Sequence, residues 1–133
     1  MLFENAINSK KQGDIGMCYA MAYYSKLGWT VSIPITDSQD YDLVVDNGTR
    51  LFKVQVKTTR FKAPSGNYTA SLTTNGGNRS GSGKTKKFND NSSDLLFVLT
   101  EAGECYSIPT SEINSTTIIT LCEKYLPYRV TLH

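Results

Sequence analysis

Three side chains stand out by type and spacing: Asp42, Gln55 and Lys57, with the main-chain carbonyl of Val56 between the last two. A carboxylate, an amide oxygen and a carbonyl are hard donors of the kind Mg²⁺ takes, and Mg²⁺ keeps several waters beside only one or two carboxylates. An ammonium beside them can orient an attacking water or balance the negative charge that builds on a phosphate in the transition state. The set therefore reads as a place for a hard cation and a scissile phosphate. Asp42, Gln55 and the Val56 carbonyl would hold Mg²⁺, with Mn²⁺ as a substitute, and Asp42, Gln55 and Lys57 would carry the chemistry. The same string also fits an ordinary amphipathic hairpin whose outer face is solvated, because a lone D…QxK pattern is short.

The elements that must position these groups are two strands. Tyr41-Asp42-Leu43-Val44-Val45 is followed by Asn47-Gly48 and then by Phe52-Lys53-Val54-Gln55-Val56-Lys57. Alternation puts Phe52, Val54 and Val56 on one face of the second strand and Lys53, Gln55 and Lys57 on the other. A two-residue turn at Asn47-Gly48 would set Asp42 opposite Lys53, with Gln55 diagonal to it, whereas a four-residue loop would set Asp42 opposite Gln55. Either register keeps Asp42 and Gln55 on a common face. A three-residue loop without a bulge would separate them.

Around this hairpin the pattern predicts a helix from Gly13 to Leu27, with Met17, Ala20, Met21 and Tyr24 toward the core and Gly28 as the stop. Strands are expected at Trp29 to Ile33, Tyr41 to Asp46, Leu51 to Thr59 and Asn67 to Leu72, then at Leu95 to Thr100 and Glu104 to Ile108. Short helices near Ser111 to Asn114 and Thr120 to Tyr125 and a strand at Tyr128 to Leu132 complete the reading. The chain, at 133 residues, is expected to be one domain with a flexible basic loop at about 73 to 93. That loop contains Gly77-Asn78-Arg79-Ser80-Gly81-Ser82-Gly83-Lys84-Thr85, one residue out of register for a phosphate-binding loop and followed by a poor helix former.

Charge is segregated along the chain. No Asp or Glu occurs from Asn47 to Asn89, a stretch that holds Arg50, Lys53, Lys57, Arg60, Lys62, Arg79, Lys84, Lys86 and Lys87. Such a run suits a phosphate backbone, whose counterions each contact releases. Lys53, Arg60, Lys62, Arg79, Lys84, Lys86 and Lys87 are the candidate contacts to double-stranded DNA. Gln39 joins them from the Thr36 to Asp40 loop, which has a plain turn as its alternative reading. The only histidine is His133, which excludes histidine-metal and histidine-base nuclease sites by count. Cys18, Cys105 and Cys122 are odd in number and lack a CxxC spacing, so a reducing cytoplasm is the expected compartment and no disulfide framework is indicated. No apolar run is long enough to cross a membrane.

The Gly13-Asp14-Ile15-Gly16 run, the helix behind it, Gly28-Trp29-Thr30-Val31-Ser32-Ile33-Pro34, Tyr41-Asp42-Leu43-Val44-Val45 and Val54-Gln55-Val56-Lys57-Thr58 together resemble the PD-(D/E)XK nuclease superfamily. Within it they look like the small homing endonucleases of bacterial group I introns, where Gln stands in place of the usual acid. The resemblance covers about residues 10 to 60 well. It implies an α/β fold, a restriction-endonuclease-like core with a mixed β-sheet flanked by helices. It matches Asp42 to the metal-binding Asp, Gln55 to the middle motif position and Lys57 to the catalytic Lys. Many relatives carry a helical Glu where this chain has Met17, so Asp14 or Glu4 is the remaining candidate acid. The function implied is metal-dependent, sequence-specific hydrolysis of DNA phosphodiesters in intron homing by a homo-oligomer, a dimer or tetramer. A non-catalytic DNA-binding module, a junction resolvase and a restriction endonuclease remain open on the same core.

Overall fold

The computed structural model of the protein describes residues 1–73 and 93–132. Its helix α1 (Ser9–Lys26) starts ahead of the expected Gly13 because Asn8 caps it, its side-chain oxygen accepting the Lys11 backbone N–H at 2.9 Å. Beyond the helix, Gly28 takes a φ of 83°, the left-handed turn that only glycine adopts freely. The buried residues of α1 are Gly16, Ala20 and Tyr24, each one turn apart, and Met17 and Met21 flank them half-buried.

Among the described residues nine strands follow: β1 (Thr30–Ser32), β2 (Leu43–Asp46), β3 (Leu51–Thr59), β4 (Phe61–Lys62), β5 (Tyr68–Ser71), β6 (Leu95–Thr100), β7 (Cys105–Pro109), β8 (Ile118–Thr120) and β9 (Arg129–Val130). The main sheet runs β1-β2-β3-β6-β7-β9, antiparallel throughout except where β3 and β6 lie parallel. A second, small antiparallel sheet runs β4-β5-β8. The main sheet is covered on both faces. Phe3 and the α1 stripe of Ala20 and Tyr24 close over Leu43, Val45, Val54, Phe97 and Leu99. On the other face, Tyr68, Ala70, Leu72 and Ile119 of the small-sheet layer pack on Leu96, Val98, Tyr106 and Ile108. β6 lies between the two layers and is buried from Leu96 to Thr100, which is why it reads as an apolar run rather than an alternating one.

The mixed sheet stands as expected, but its second cover is a sheet. The helix expected at Ser111 to Asn114 is a 3₁₀ turn at Thr110–Glu112. The helix expected at Thr120 to Tyr125 is β8 followed by a 3₁₀ segment, Glu123–Tyr128. β-Branched Ile118, Ile119 and Thr120 pair with Ser71, Ala70 and Thr69 instead of coiling, and Pro127 sits in the segment that follows. The final strand is shorter than expected, two residues at β9. Residues 74–92, with most of the expected basic loop, the Gly77 to Thr85 run and Phe88, lie outside the described residues. Among the described residues no helix is long and apolar enough to cross a membrane.

Candidate active site

The connection between β2 and β3 fixes where the chemistry-bearing residues fall. Asp46 pairs with Leu51, so Asn47 to Arg50 form a four-residue loop and the two-residue turn is not used. Asn47 explains the choice. Its Oδ1 accepts the N–H groups of Thr49 and Arg50, each at 2.9 Å, and its own N–H donates to the Arg50 carbonyl at 3.2 Å. Asp46 Oδ1 accepts the Gly48 N–H at 2.8 Å, with Gly48 at a φ of 97°.

From that loop the ladder runs regularly to Leu43 opposite Val54 and then slips. The Asp42 N–H donates to the Val54 carbonyl at 2.8 Å, so two successive residues address one residue of β3, as in a β-bulge. The slip re-aims the Asp42 carboxylate, and Asp42 Oδ2 accepts the Val56 N–H at 2.7 Å. Within a strand, the N–H and C=O of one residue point to the same neighbour. The Val56 carbonyl therefore projects to the edge on which Asp42 lies.

Gln55 and Lys57 pair in register with Leu96 and Val98, which places both on the face covered by the small sheet. Gln55 is only 3% exposed. Lys57 Nζ donates to the main-chain carbonyl of Thr73 at 3.0 Å. Asp42 and Lys57 feel each other's charge, yet burial dominates for both. It raises the Asp42 carboxyl above its ordinary value against the pull of the Val56 N–H and of Lys57. It lowers the Lys57 ammonium against the pull of Asp42.

The donor set suits a hard divalent cation. Asp42 could supply a carboxylate, Gln55 an amide oxygen and Val56 a carbonyl, hard oxygen donors of the kind Mg²⁺ takes beside water and phosphate. Among the described residues no group of three or more His, Cys, Asp and Glu could hold an ion.

A family model described as PD-(D/E)XK endonuclease matches residues 7–125. The chain belongs to the PD-(D/E)XK endonuclease family. A solved structure titled as a bacterial homing endonuclease, I-Ssp6803I, is 29% identical, with a TM-score of 0.69, over 92% of this chain and 87% of that one. No curated protein sequence matches the chain.

Met17, which stands where the resemblance expects a helical acid, packs at the edge of the core between α1 and the sheet. Asp14 lies exposed on α1, and Glu4 is exposed beside the N-terminal ammonium at 3.8 Å. The candidate DNA contacts divide into four groups. Lys53 is exposed, its ammonium 5.4 Å from the centre of the Tyr41 ring, and Lys62 is exposed, 4.9 Å from that of Tyr68. Arg60 is tied into the fold: Nε donates to Gln12 Oε1 at 3.1 Å, and the guanidinium reaches the Phe3 carbonyl at 3.4 Å and Glu101 at 3.9 Å. Gln39 hydrogen-bonds within its own loop to Thr36. Arg79, Lys84, Lys86 and Lys87 lie outside the described residues.

Two residues that hold β3 and its Lys57 side chain carry no sequence signal. Thr73 meets Lys57 through its backbone, which no side-chain pattern reports. Asp94 accepts the Lys53 N–H at 2.8 Å and pairs with Arg50 at 3.4 Å, fixing the start of β6 against β3. The two segments are joined only by the fold.

Proposed function

We propose that this PD-(D/E)XK chain is a divalent-metal-dependent, sequence-specific DNA endonuclease that hydrolyses phosphodiester bonds. Intron homing by a homo-oligomer, dimer or tetramer, in the reducing cytoplasm is the setting that fits it best. The observation that carries the reading is the bulge at Asp42, which aims a carboxylate at the Val56 N–H within electrostatic range of the Lys57 ammonium. Family membership and the likeness to a homing endonuclease support it.

Asp42, Gln55 and the Val56 carbonyl hold the cation in this reading. Bound there, Mg²⁺ or Mn²⁺ would polarise the phosphate and acidify an attacking water. Lys57 orients that water and offsets charge on the phosphoryl oxygens. Lys53 and Lys62, with Arg79, Lys84, Lys86 and Lys87, hold the DNA backbone, and the Gln39 loop lies next to the Asp42 strand.

A non-catalytic DNA-binding module is the second reading. It is favoured by Met17 in the core and by the uncharged Gln55, which leave Asp42 as the one carboxylate of the set. Supercoiled plasmid carrying the cognate site, incubated with Mg²⁺ or with EDTA, separates the two. The endonuclease reading predicts Mg²⁺-dependent linearisation by wild type and binding without cutting by Lys57→Ala. Binding without cutting by wild type, in Mg²⁺ and in Mn²⁺, establishes the module instead.

A further inference from the structure

The Lys57 ammonium sits at the end of a four-carbon stem whose rotamers would scatter it over several ångströms unless a fixed acceptor holds it. Thr73 provides that acceptor, its main-chain carbonyl taking a hydrogen bond from Nζ at 3.0 Å. The end of β5 that carries this carbonyl is held from two sides. The Leu72 N–H donates to the Thr117 carbonyl at 2.8 Å, carrying the β5–β8 ladder one residue past Ser71 opposite Ile118. The hydroxyls of Ser71 and Thr73 share a hydrogen bond at 3.0 Å, and Leu72 between them is fully buried.

We propose that Thr73 is a positioning residue: its carbonyl, set by the Ser71 hydroxyl and by β5–β8 pairing, aims the Lys57 ammonium toward Asp42. The small sheet then has a role beyond covering the core, because it carries the part that pre-organises a group of the active site. One Nζ–H is used on Thr73, which leaves two to face the carboxylate and an incoming phosphate. The proposal rests on the endonuclease reading for its effect on rate, but the contact itself does not depend on it.

Thr73→Val keeps the shape and removes the hydroxyl, Ser71→Ala removes its partner on an exposed position, and Thr73→Ser restores the hydroxyl. The order parameter of the Lys57 side chain, measured by NMR on lysine-labelled protein without DNA or metal, reads the contact directly. It is expected to fall in Thr73→Val and Ser71→Ala and to recover in Thr73→Ser. Single-turnover cleavage is expected to slow about tenfold in the first two, with DNA affinity unchanged. An unchanged Lys57 order parameter in both variants overturns the proposal, as does slower cleavage matched by an equal loss of DNA affinity. If the order parameter responds while wild type cleaves no DNA, the positioning contact stands and the endonuclease reading falls.

Discussion

Asp42 Oδ2 accepts the Val56 N–H at 2.7 Å, although regular pairing of β2 with β3 ends at Leu43 opposite Val54. A side chain thus continues the ladder where the backbone stops. One carboxylate oxygen is spent on the strand, and the other is the one a cation would take. The same bond keeps the Asp42 carboxylate and the Val56 main chain at a fixed spacing.

Asp42→Asn is expected to leave the metal-free fold as stable as wild type or more so. Asn keeps an oxygen for the Val56 N–H and removes a charge that burial disfavours, as the raised carboxyl pKa indicates. A group whose folded pKa is raised gives the fold its best stability below its unfolded pKa, so at neutral pH the ionised form is a cost. Thermal unfolding without metal checks this. A melting temperature several degrees lower would mean that attraction to Lys57 outweighs burial.

Gly16→Ala is expected to destabilise the protein by about 1–3 kcal/mol through overpacking. The new Cβ would overlap Thr58 Cγ2 and come within 3.3 Å of Val56 Cγ1. Thr58→Ser removes that methyl and keeps the Oγ1 that accepts Gln12 Nε2 at 2.9 Å. In a double-mutant cycle by urea denaturation, Thr58→Ser should recover most of the loss. Additive losses would place the strain elsewhere.

These positions mark what could be read from the chain and what could not. The Gly13 to Gly16 run and the alternation of β3 report the helix-sheet core and the common face of Gln55 and Lys57, because local periodicity reports local geometry. The helix starts ahead of the Gly13 that the apolar pattern predicts because its cap, Asn8, lies outside that pattern. The 118–125 region was misjudged because Ile118 to Thr120 find their partners in β5, about fifty residues away in sequence. The bulge at Asp42 was invisible for a similar reason, since alternation counts residues and a bulge inserts one. Arg60 was legible as a charge but not as a tie to Gln12, Phe3 and Glu101, which only the tertiary fold assembles.

Lys53→Ala and Lys62→Ala are each expected to weaken DNA binding and to reduce the slope of log affinity against log salt by about 1. Arg60→Ala is expected to lower the melting temperature and leave that slope intact, because its guanidinium is engaged within the fold. Fluorescence titrations of a duplex at several salt concentrations, beside thermal melts, make the comparison. A slope change for Arg60→Ala equal to that for Lys53→Ala would show that Arg60 turns outward on binding.

Cys105 is buried, and burial pushes its thiol from 9.0 up to about 11. The unfolded thiol ionises first as pH rises, so stability is full below about 9 and declines through about 11. Between pH 8 and pH 10.5, wild type is expected to lose more unfolding free energy than Cys105→Ala, by on the order of 1–2 kcal/mol. Urea denaturation at the two pH values reads the difference. Equal losses would mean the thiolate is accommodated in the fold.

The most direct test of the account is single-turnover cleavage of a cognate duplex in Mg²⁺ by wild type and Asp42→Asn, with the affinity of each for that duplex measured in parallel. The predicted result is equal affinity and a rate lower on the order of 10³-fold for the variant. A variant that binds equally and cuts at the wild-type rate would contradict Asp42 as the carboxylate on which cleavage depends.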